Sequence, residues 1–353
     1  MPPRFLAFPA ARCVRAGAPS HDLTAAREWY KRPVSDALPE VPGYALDGLL
    51  GRGGMAEVYR ARPLAGPRAG KTVALKRLLP DLARDAEYVA LLRQEAELTR
   101  RLRHPAIVEV LEAGLAGGVP FIAMEYVDGR NLKEILARCA ARGILLPVDF
   151  AAYAVHVVAQ ALAHAHEGWD EAGRLLGIVH NDVSPSNVFI SRLGEIKLGD
   201  FGVARLLPGS PQALVDAGVA QAAVPSGSGA FGKIHYLAPE LIRGARPTPA
   251  SDLFALGAVF FELLTNQKAF PGREVNEVGQ RILAADRPAP SSLRPEVPVA
   301  LDALVLSCLQ REPGRRIETA SRFAADVAAN YDPAIGTPLA IAAVVRGLFG
   351  STG

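Results

Sequence analysis

The chain has 353 residues, 50% of them hydrophobic and 21% charged, with a formal net charge of +3. It is long enough for one large or two smaller cores, and so small and scattered a charge argues against nucleic acid as the main partner. Three cysteines without CxxC spacing, Cys13, Cys139 and Cys308, argue against a disulfide framework or a zinc site and fit a reducing compartment.

Residues 1–43 are rich in Pro, Ala and Arg without sustained periodicity and read as a disordered tail. From Tyr44 the texture changes. Short β-type runs at 44–50, 57–62, 71–78, 107–113 and 119–126 are interrupted by one helical pattern over 85–103, with Leu91, Leu92, Glu95, Leu98 and Leu102 on one face. This predicts a small, mostly antiparallel sheet with one helix.

A short connection at 125–130 leads into a helix-rich second part. A Pro-started helix is expected at 147–167, short strands at 188–191 and 195–199, and helices near 250–266, 298–310 and 319–330. Between 202 and 232 lies a long stretch of Gly, Ala, Ser and Pro, a length that in a compact domain marks a functional or disordered loop. Residues 332–353 read as one more amphipathic helix. No run approaches the roughly 20 apolar residues that cross a bilayer, and the N-terminal apolar patch is too short for a cleaved signal. A cytoplasmic protein is expected.

Against this plan several short stretches carry chemistry. "LLGRGGMAEVY" (49–59) puts Gly51, Gly53 and Gly54 in a turn between two strands, where backbone N–H groups can approach phosphate oxygens. On its own it is equally a plain hairpin, and it opens no helix, which speaks against a dinucleotide fold. In "VALK" (73–76), Lys76 stands within an apolar strand, and Glu95 stands on the apolar face of the next helix, where an unpaired carboxylate is costly. One pairing, Lys76 with Glu95, accounts for both misfits. "HNDVSPSN" (180–187) sets Asp182 and Asn187 around a Pro-containing loop with four residues between them. "KLGDFGVAR" (197–205) places Asp200 after a strand, where its plain reading is a turn. His164, His166 and His180 lack the cysteine or carboxylate cluster of a metal site and read as structural. Asp252 reads as a helix cap in isolation.

Taken in order, the glycine turn, the strand lysine, the helix glutamate, Asp182 with Asn187, Asp200 and "APE" (238–240) resemble the protein kinase signature set. The resemblance runs from Tyr44 to Tyr331 and is strong toward the bacterial relatives of eukaryotic serine/threonine kinases, whose glycine loop often reads GxGGM. It implies an α+β, two-lobed protein kinase fold, with a β-rich N-lobe at 44–126 and a helical C-lobe at 130–331. It also implies ATP and Mg²⁺ as cofactors and protein substrates as partners, with self-association for phosphorylation in trans as a further possibility.

Residue by residue, the resemblance implies that Gly51, Gly53 and Gly54 cover the ATP phosphates, with Ala56 where a third glycine is expected. Lys76 contacts the phosphates and pairs with Glu95. Leu50, Val58, Ala74 and Phe189 sandwich the adenine, Met124 guards the back of its pocket, and the main chain at Glu125 and Val127 bonds its edge. Asp182 accepts the substrate hydroxyl proton, and Asn187 and Asp200 hold the metal. Glu240 pairs with Arg316, and Asp252 ties down the catalytic-loop backbone.

Three further positions depart from the pattern. Asn181 replaces an arginine that reads a phosphate on the loop before "APE", Ser184 replaces a lysine, and Lys233 stands where that loop carries a threonine. The first predicts activity that does not depend on loop phosphorylation, with Ser226 and Ser228 dispensable. The other two suggest a pair exchanged end for end, with Lys233 reaching Asp182 or Ser184 as a catalytic cation. Two functions follow: an active serine/threonine protein kinase, or a pseudokinase acting as a nucleotide-binding scaffold.

Overall fold

The computed structural model describes residues 38–201 and 229–350; the expected tail up to residue 37 and most of the 202–232 loop, with Ser226 and Ser228, lie outside them. The N-terminal lobe is a five-stranded antiparallel sheet of β1 (Tyr44–Arg52), β2 (Ala56–Pro63), β3 (Val73–Leu78), β4 (Val110–Ala116) and β5 (Val119–Glu125), in the order β1-β2-β3-β5-β4. One long helix, α1 (Ala86–Thr99), packs on it. The period-2 alternation of strand side chains sorts the apolar residues onto two faces. Tyr44, Ala61, Val73, Leu75, Phe121 and Ala123 cluster on one. Leu78, Ile122 and Val110 meet Leu92 and Ala96 of α1 on the other. Val41, 2% exposed, joins the first cluster, so the packed lobe reaches back into the segment expected to be tail.

The strand expected at 107–113 is displaced to 110–116, with a bulge between Val110 and Glu112. Residues 106–108 instead bond across to the other lobe: Val108 N–H donates to Leu198 O, and Leu198 N–H to Ala106 O.

The chain then enters a three-stranded sheet, β6 (Gly129–Asn131), β7 (Val188–Ser191) and β8 (Ile196–Leu198), in sequential order. Around it stand α2 (Leu132–Arg142), α3 (Val148–Glu167), α4 (Pro249–Thr265), α5 (Val275–Ala284), α6 (Val299–Cys308), α7 (Ala320–Ala328) and α8 (Pro338–Phe349). Helix α4 is buried along its whole length from Ser251 to Thr265, so its apolar run forms the axis of the lobe rather than one amphipathic face. Both Cys139 and Cys308 are buried free thiols, and burial pushes Cys308 up to about 12.

Helix α5 was not expected, and α2 was signalled only as an apolar helical pattern around Cys139, without bounds. The signal for α2 was present: Asn131 and Glu134 form a reciprocal capping box, Leu132, Ile135, Leu136 and Cys139 are its buried stripe, and Gly143 ends it at φ 62°. In α5 only Val278 and Ile282 are buried, a stripe too thin to stand out.

The expected C-terminal helix packs on the C-lobe. Ile341, Ala342, Val345 and Leu348 of α8 are buried, Arg138 Nε donates to Leu348 O and Arg142 to Gly347 O. Gly194, in the β7–β8 turn, admits this contact: a Cβ there would stand 1.7 Å from Pro338 O.

Candidate active site

The sheet register explains how separated residues come to face one cleft. Gly51 stands opposite Val58, Val58 opposite Lys76, and Lys76 opposite Ile122. Ala74, two residues before Lys76, stands opposite Met124. Parity therefore turns Val58, Ala74, Lys76 and Met124 to the same face. Leu50, 47% exposed, and Gly51, Gly53 and Gly54 form the exposed β1–β2 tip, closed by a 2.8 Å bond from Gly53 N–H to Ala56 O.

Lys76 and Glu95, 8% and 3% exposed, do pair: Nζ lies 2.6 Å from Glu95 Oε1. The same ammonium lies 2.8 Å from Asp200 Oδ1, joining the two lobes across the cleft. Burial alone would push the Lys76 ammonium down, but the carboxylates of Asp200 and Glu95 outweigh it and hold the group charged. The Lys76 charge in turn holds the Asp200 carboxyl below its usual range.

Asp182 and Asn187 are buried in the loop between α3 and β7. Asn187 Nδ2 donates to both Asp182 O and Asp182 Oδ2, each at 2.9 Å, which fixes the amide and the carboxylate relative to each other. Asn187 O accepts from Gly199 N–H at 2.9 Å, so Asp200 is held next to the same loop. Below it, Asp252 Oδ2 and Oδ1 accept the backbone N–H groups of His180 and Asn181 at 2.7 and 2.8 Å, and Oδ2 also meets His166 Nε2 at 2.9 Å. Asp252 is a loop anchor; the α4 cap is the Thr248–Ser251 box. His180 Nδ1 accepts from Asp182 N–H and Nε2 donates to Gly199 O, which fixes one neutral tautomer; burial pushes its pKa down.

Asn181 and Asp200 adopt left-handed φ of 61° and 58°. Asn and Asp tolerate that region better than most side chains. Glu240 forms two bonds to Arg316, at 2.7 and 2.6 Å. Lys233, on the helical turn Gly229–Ile234, places its ammonium on Asp182 Oδ2. The Ser184 hydroxyl turns instead to Ser186 Oγ, 3.0 Å away, so of the two partners expected for Lys233 the aspartate is the one it bonds.

Phe189, on β7, stands opposite Asn131 and Lys197. Glu125 and Val127 lie at the lobe connection, and Lys197 Nζ pairs with Glu125 Oε1 at 2.9 Å. That last pair was not anticipated; its signal was a lysine in the apolar strand β8.

Chemically, the cleft offers the oxygens of Asn187 and Asp200, hard donors of the kind Mg²⁺ takes, and among the described residues no cluster of His, Cys, Asp and Glu could cage a metal alone. Few protein oxygens beside a cationic lysine fit an ion held jointly with phosphates. The glycine tip fits such a ligand as well: a Cβ at Gly51 or Gly54 would meet nothing within 4 Å, so the backbone there faces open space.

A two-lobed fold with this cleft defines a protein kinase. The family described as protein kinase domain matches residues 44–327, and the chain belongs to it. It is 36% identical over 87% of its length to a probable serine/threonine-protein kinase of Streptomyces coelicolor, and 34% identical over 82% to the serine/threonine-protein kinase PrkC of Bacillus subtilis, matching 43% and 40% of those proteins. A tyrosine-protein kinase of Myxococcus xanthus, MasK, is 34% identical over 80% of the chain and 42% of its own length. The chain thus spans about two fifths of the curated relatives it matches. Among solved structures, the PknI kinase domain of Mycobacterium tuberculosis superposes with a TM-score of 0.59 at 28% identity, over 84% of this chain and 99% of that one.

Proposed function

We propose that this chain is an ATP-dependent protein kinase that phosphorylates serine or threonine hydroxyls on protein substrates, with Mg²⁺ as its metal. The observation that carries the reading is the Lys76–Glu95–Asp200 chain of ion pairs meeting the Asp182–Asn187 pair. These contacts support a reading with a fixed cation, two oxygen ligands and a carboxylate base around one cleft.

In this reading Lys76 neutralises phosphate charge, and Glu95 holds it on target. Asn187 and Asp200 would hold the metal, which would offset the negative charge that builds on the phosphoryl oxygens. Asp182 orients the substrate hydroxyl and accepts its proton. Asn187, by fixing Asp182, keeps base and metal site in register, and positioning of this kind supplies most of the rate in phosphoryl transfer. Leu50, Val58, Ala74, Met124 and Phe189 enclose the adenine, and the backbone at Glu125 and Val127 bonds its edge.

The kinase domain at 44–331 is proposed to act in the cytoplasm; among the described residues no helix is long and apolar enough to cross a membrane. The test is transfer from labelled ATP with Mg²⁺ to a generic basic protein substrate, beside Asp182→Asn, followed by identification of the phosphorylated amino acid. Transfer to Ser or Thr that Asp182→Asn abolishes is the expected result. Transfer no greater than that of the variant would move the reading to a nucleotide-binding scaffold, and label on Tyr alone would overturn the acceptor class.

A further inference from the structure

The base of the proposed reaction is not flanked by a cation from its own loop. Between Asp182 and Asn187 the side chains are Val, Ser, Pro and Ser. Ser184 is 1% exposed, and its hydroxyl is taken up by Ser186. Yet Asp182 Oδ2 carries two donors: Asn187 Nδ2 from its own loop and the Lys233 ammonium from a turn 51 residues away in sequence. The Lys233 side chain is 33% exposed, so it is largely withdrawn from water rather than extended into it. The turn is seated from both sides of the following segment: Ile234 is buried, Tyr236 OH bonds Glu262, and Glu240 is gripped by Arg316.

We infer that Lys233 is the second catalytic cation of this site, supplied by the segment before Ala238-Pro239-Glu240 instead of by the catalytic loop. The inference rests on the kinase reading above. In the transfer, the substrate oxygen bonds to the γ-phosphorus as the bond to the bridging oxygen breaks, and that electron pair leaves with ADP. The hydroxyl proton goes to Asp182, while Lys233 keeps its own protons throughout. Its ammonium helps the step because it stands beside the base, where negative charge spreads over the transferring phosphoryl oxygens. A charge mounted on a loop turn differs from one mounted in the buried catalytic loop. Its position follows the seating of residues 233–240, so the Glu240–Arg316 and Tyr236–Glu262 bonds become positioning elements for catalysis. Phosphorylation is not needed to place it.

The experiment is chemical labelling with the γ-acyl phosphate of ATP. A lysine amine at the γ-phosphate attacks the acyl carbon, loses a proton and forms an amide, and ATP leaves. Peptide mass spectrometry should then find both Lys76 and Lys233 acylated, each protected by excess ATP, while label on Lys71 and Lys133 is unaffected by ATP. Label on Lys76 but not on Lys233 overturns this inference alone; label on neither overturns the nucleotide-binding reading with it. Kinetics give a second readout. Lys233→Ala should lower kcat about 10²-fold with the KM for ATP within about twofold, because the lost contact belongs to the transition state. Ser184→Lys/Lys233→Thr should recover most of that loss, whereas a merely structural lysine would not be rescued by a cation at residue 184. Wild-type kcat in Lys233→Ala overturns the inference.

Discussion

Replacing Asp252 by alanine tests how far a buried carboxylate outside the cleft governs the chemistry within it. Asp252 is 1% exposed and accepts the backbone N–H groups of His180 and Asn181 as well as His166 Nε2. Alanine strands two backbone donors, one of them buried with His180, at about 1–3 kcal/mol each, and removes charge-assisted bonds besides. The expected loss is about 3–5 kcal/mol, at the upper end for a single substitution. Asp252→Asn keeps one acceptor oxygen but turns an amide N–H₂ toward the other donors, so about half that loss is expected. The loop freed by either change carries Asp182, whereas Lys76 and Glu95 are held by other elements. The kcat should therefore fall about 10-fold or more, with the KM for ATP changed less than about twofold. Urea unfolding followed by circular dichroism, paired with steady-state kinetics, measures both. A loss under about 1 kcal/mol for Asp252→Ala, or a full loss of stability with kcat intact, would refute the anchoring argument.

The Arg316 side chain is 0% exposed, so Glu240→Ala leaves a buried charge and should cost about 3–5 kcal/mol in urea unfolding; Glu240→Leu/Arg316→Met should cost clearly less. An equal cost for the two would show that the pair is not the cause. Asn181 offers no charge to read a loop phosphate, so Ser226→Ala/Ser228→Ala should keep most of the wild-type rate; a drop beyond about tenfold, or roughly 1.4 kcal/mol, counts against this. His104 and His164 stack at 5.3 Å, and burial pushes both below 6.5. Unfolding raises their pKa and takes up protons, so their share of stability is complete above pH 6.5 and is lost as pH falls through the folded values. His104→Asn should flatten that acid-side slope in thermal melts, and an unchanged slope would show that other groups titrate there. Cys139 and Cys308 should resist a thiol reagent until the protein is unfolded, because both are buried and the Cys308 thiol is pushed up to about 12.

What could be read from the sequence was whatever local chemistry made costly on its own. A lysine in the strand at Lys76 and a carboxylate on the apolar face at Glu95 each demanded a partner, and the structure joins them at 2.6 Å. Lys233 was legible only through the family resemblance, since it and Ser184 departed from that pattern together. The role of Asp252 came only from the family resemblance, because an acid in the first turn of a helix looks like a cap and its true partners lie 71 and 72 residues away. The bounds of helix α2 were not read despite its capping box, and the Lys197–Glu125 pair was missed because a lysine in a short apolar strand signals that a partner is needed but not which one. The shift of the fourth strand to 110–116 has a tertiary cause. Residues 106–108 carry strand-like apolar side chains, but their backbone is bonded to β8 of the other lobe.

That cross-lobe stitching sets how the cleft can move. The two lobes are fastened at neighbouring points along one rear edge: at Ala106 and Val108 to Leu198, and at Glu125 to Lys197. With Lys76 also bound to Asp200 across the cleft, the N-lobe would swing about the β8 contacts only once that ion pair lets go. Displacement grows with distance from the fulcrum, so the glycine tip travels furthest, Lys76 travels less, and the connection at Glu125 hardly moves. A nucleotide seated by its base at that connection would stay in place while the enclosure of its phosphates opens and shuts. Exchange of a nucleotide would then be governed at the tip, and strengthening or loosening the Lys197–Glu125 pair would change the stiffness of that swing.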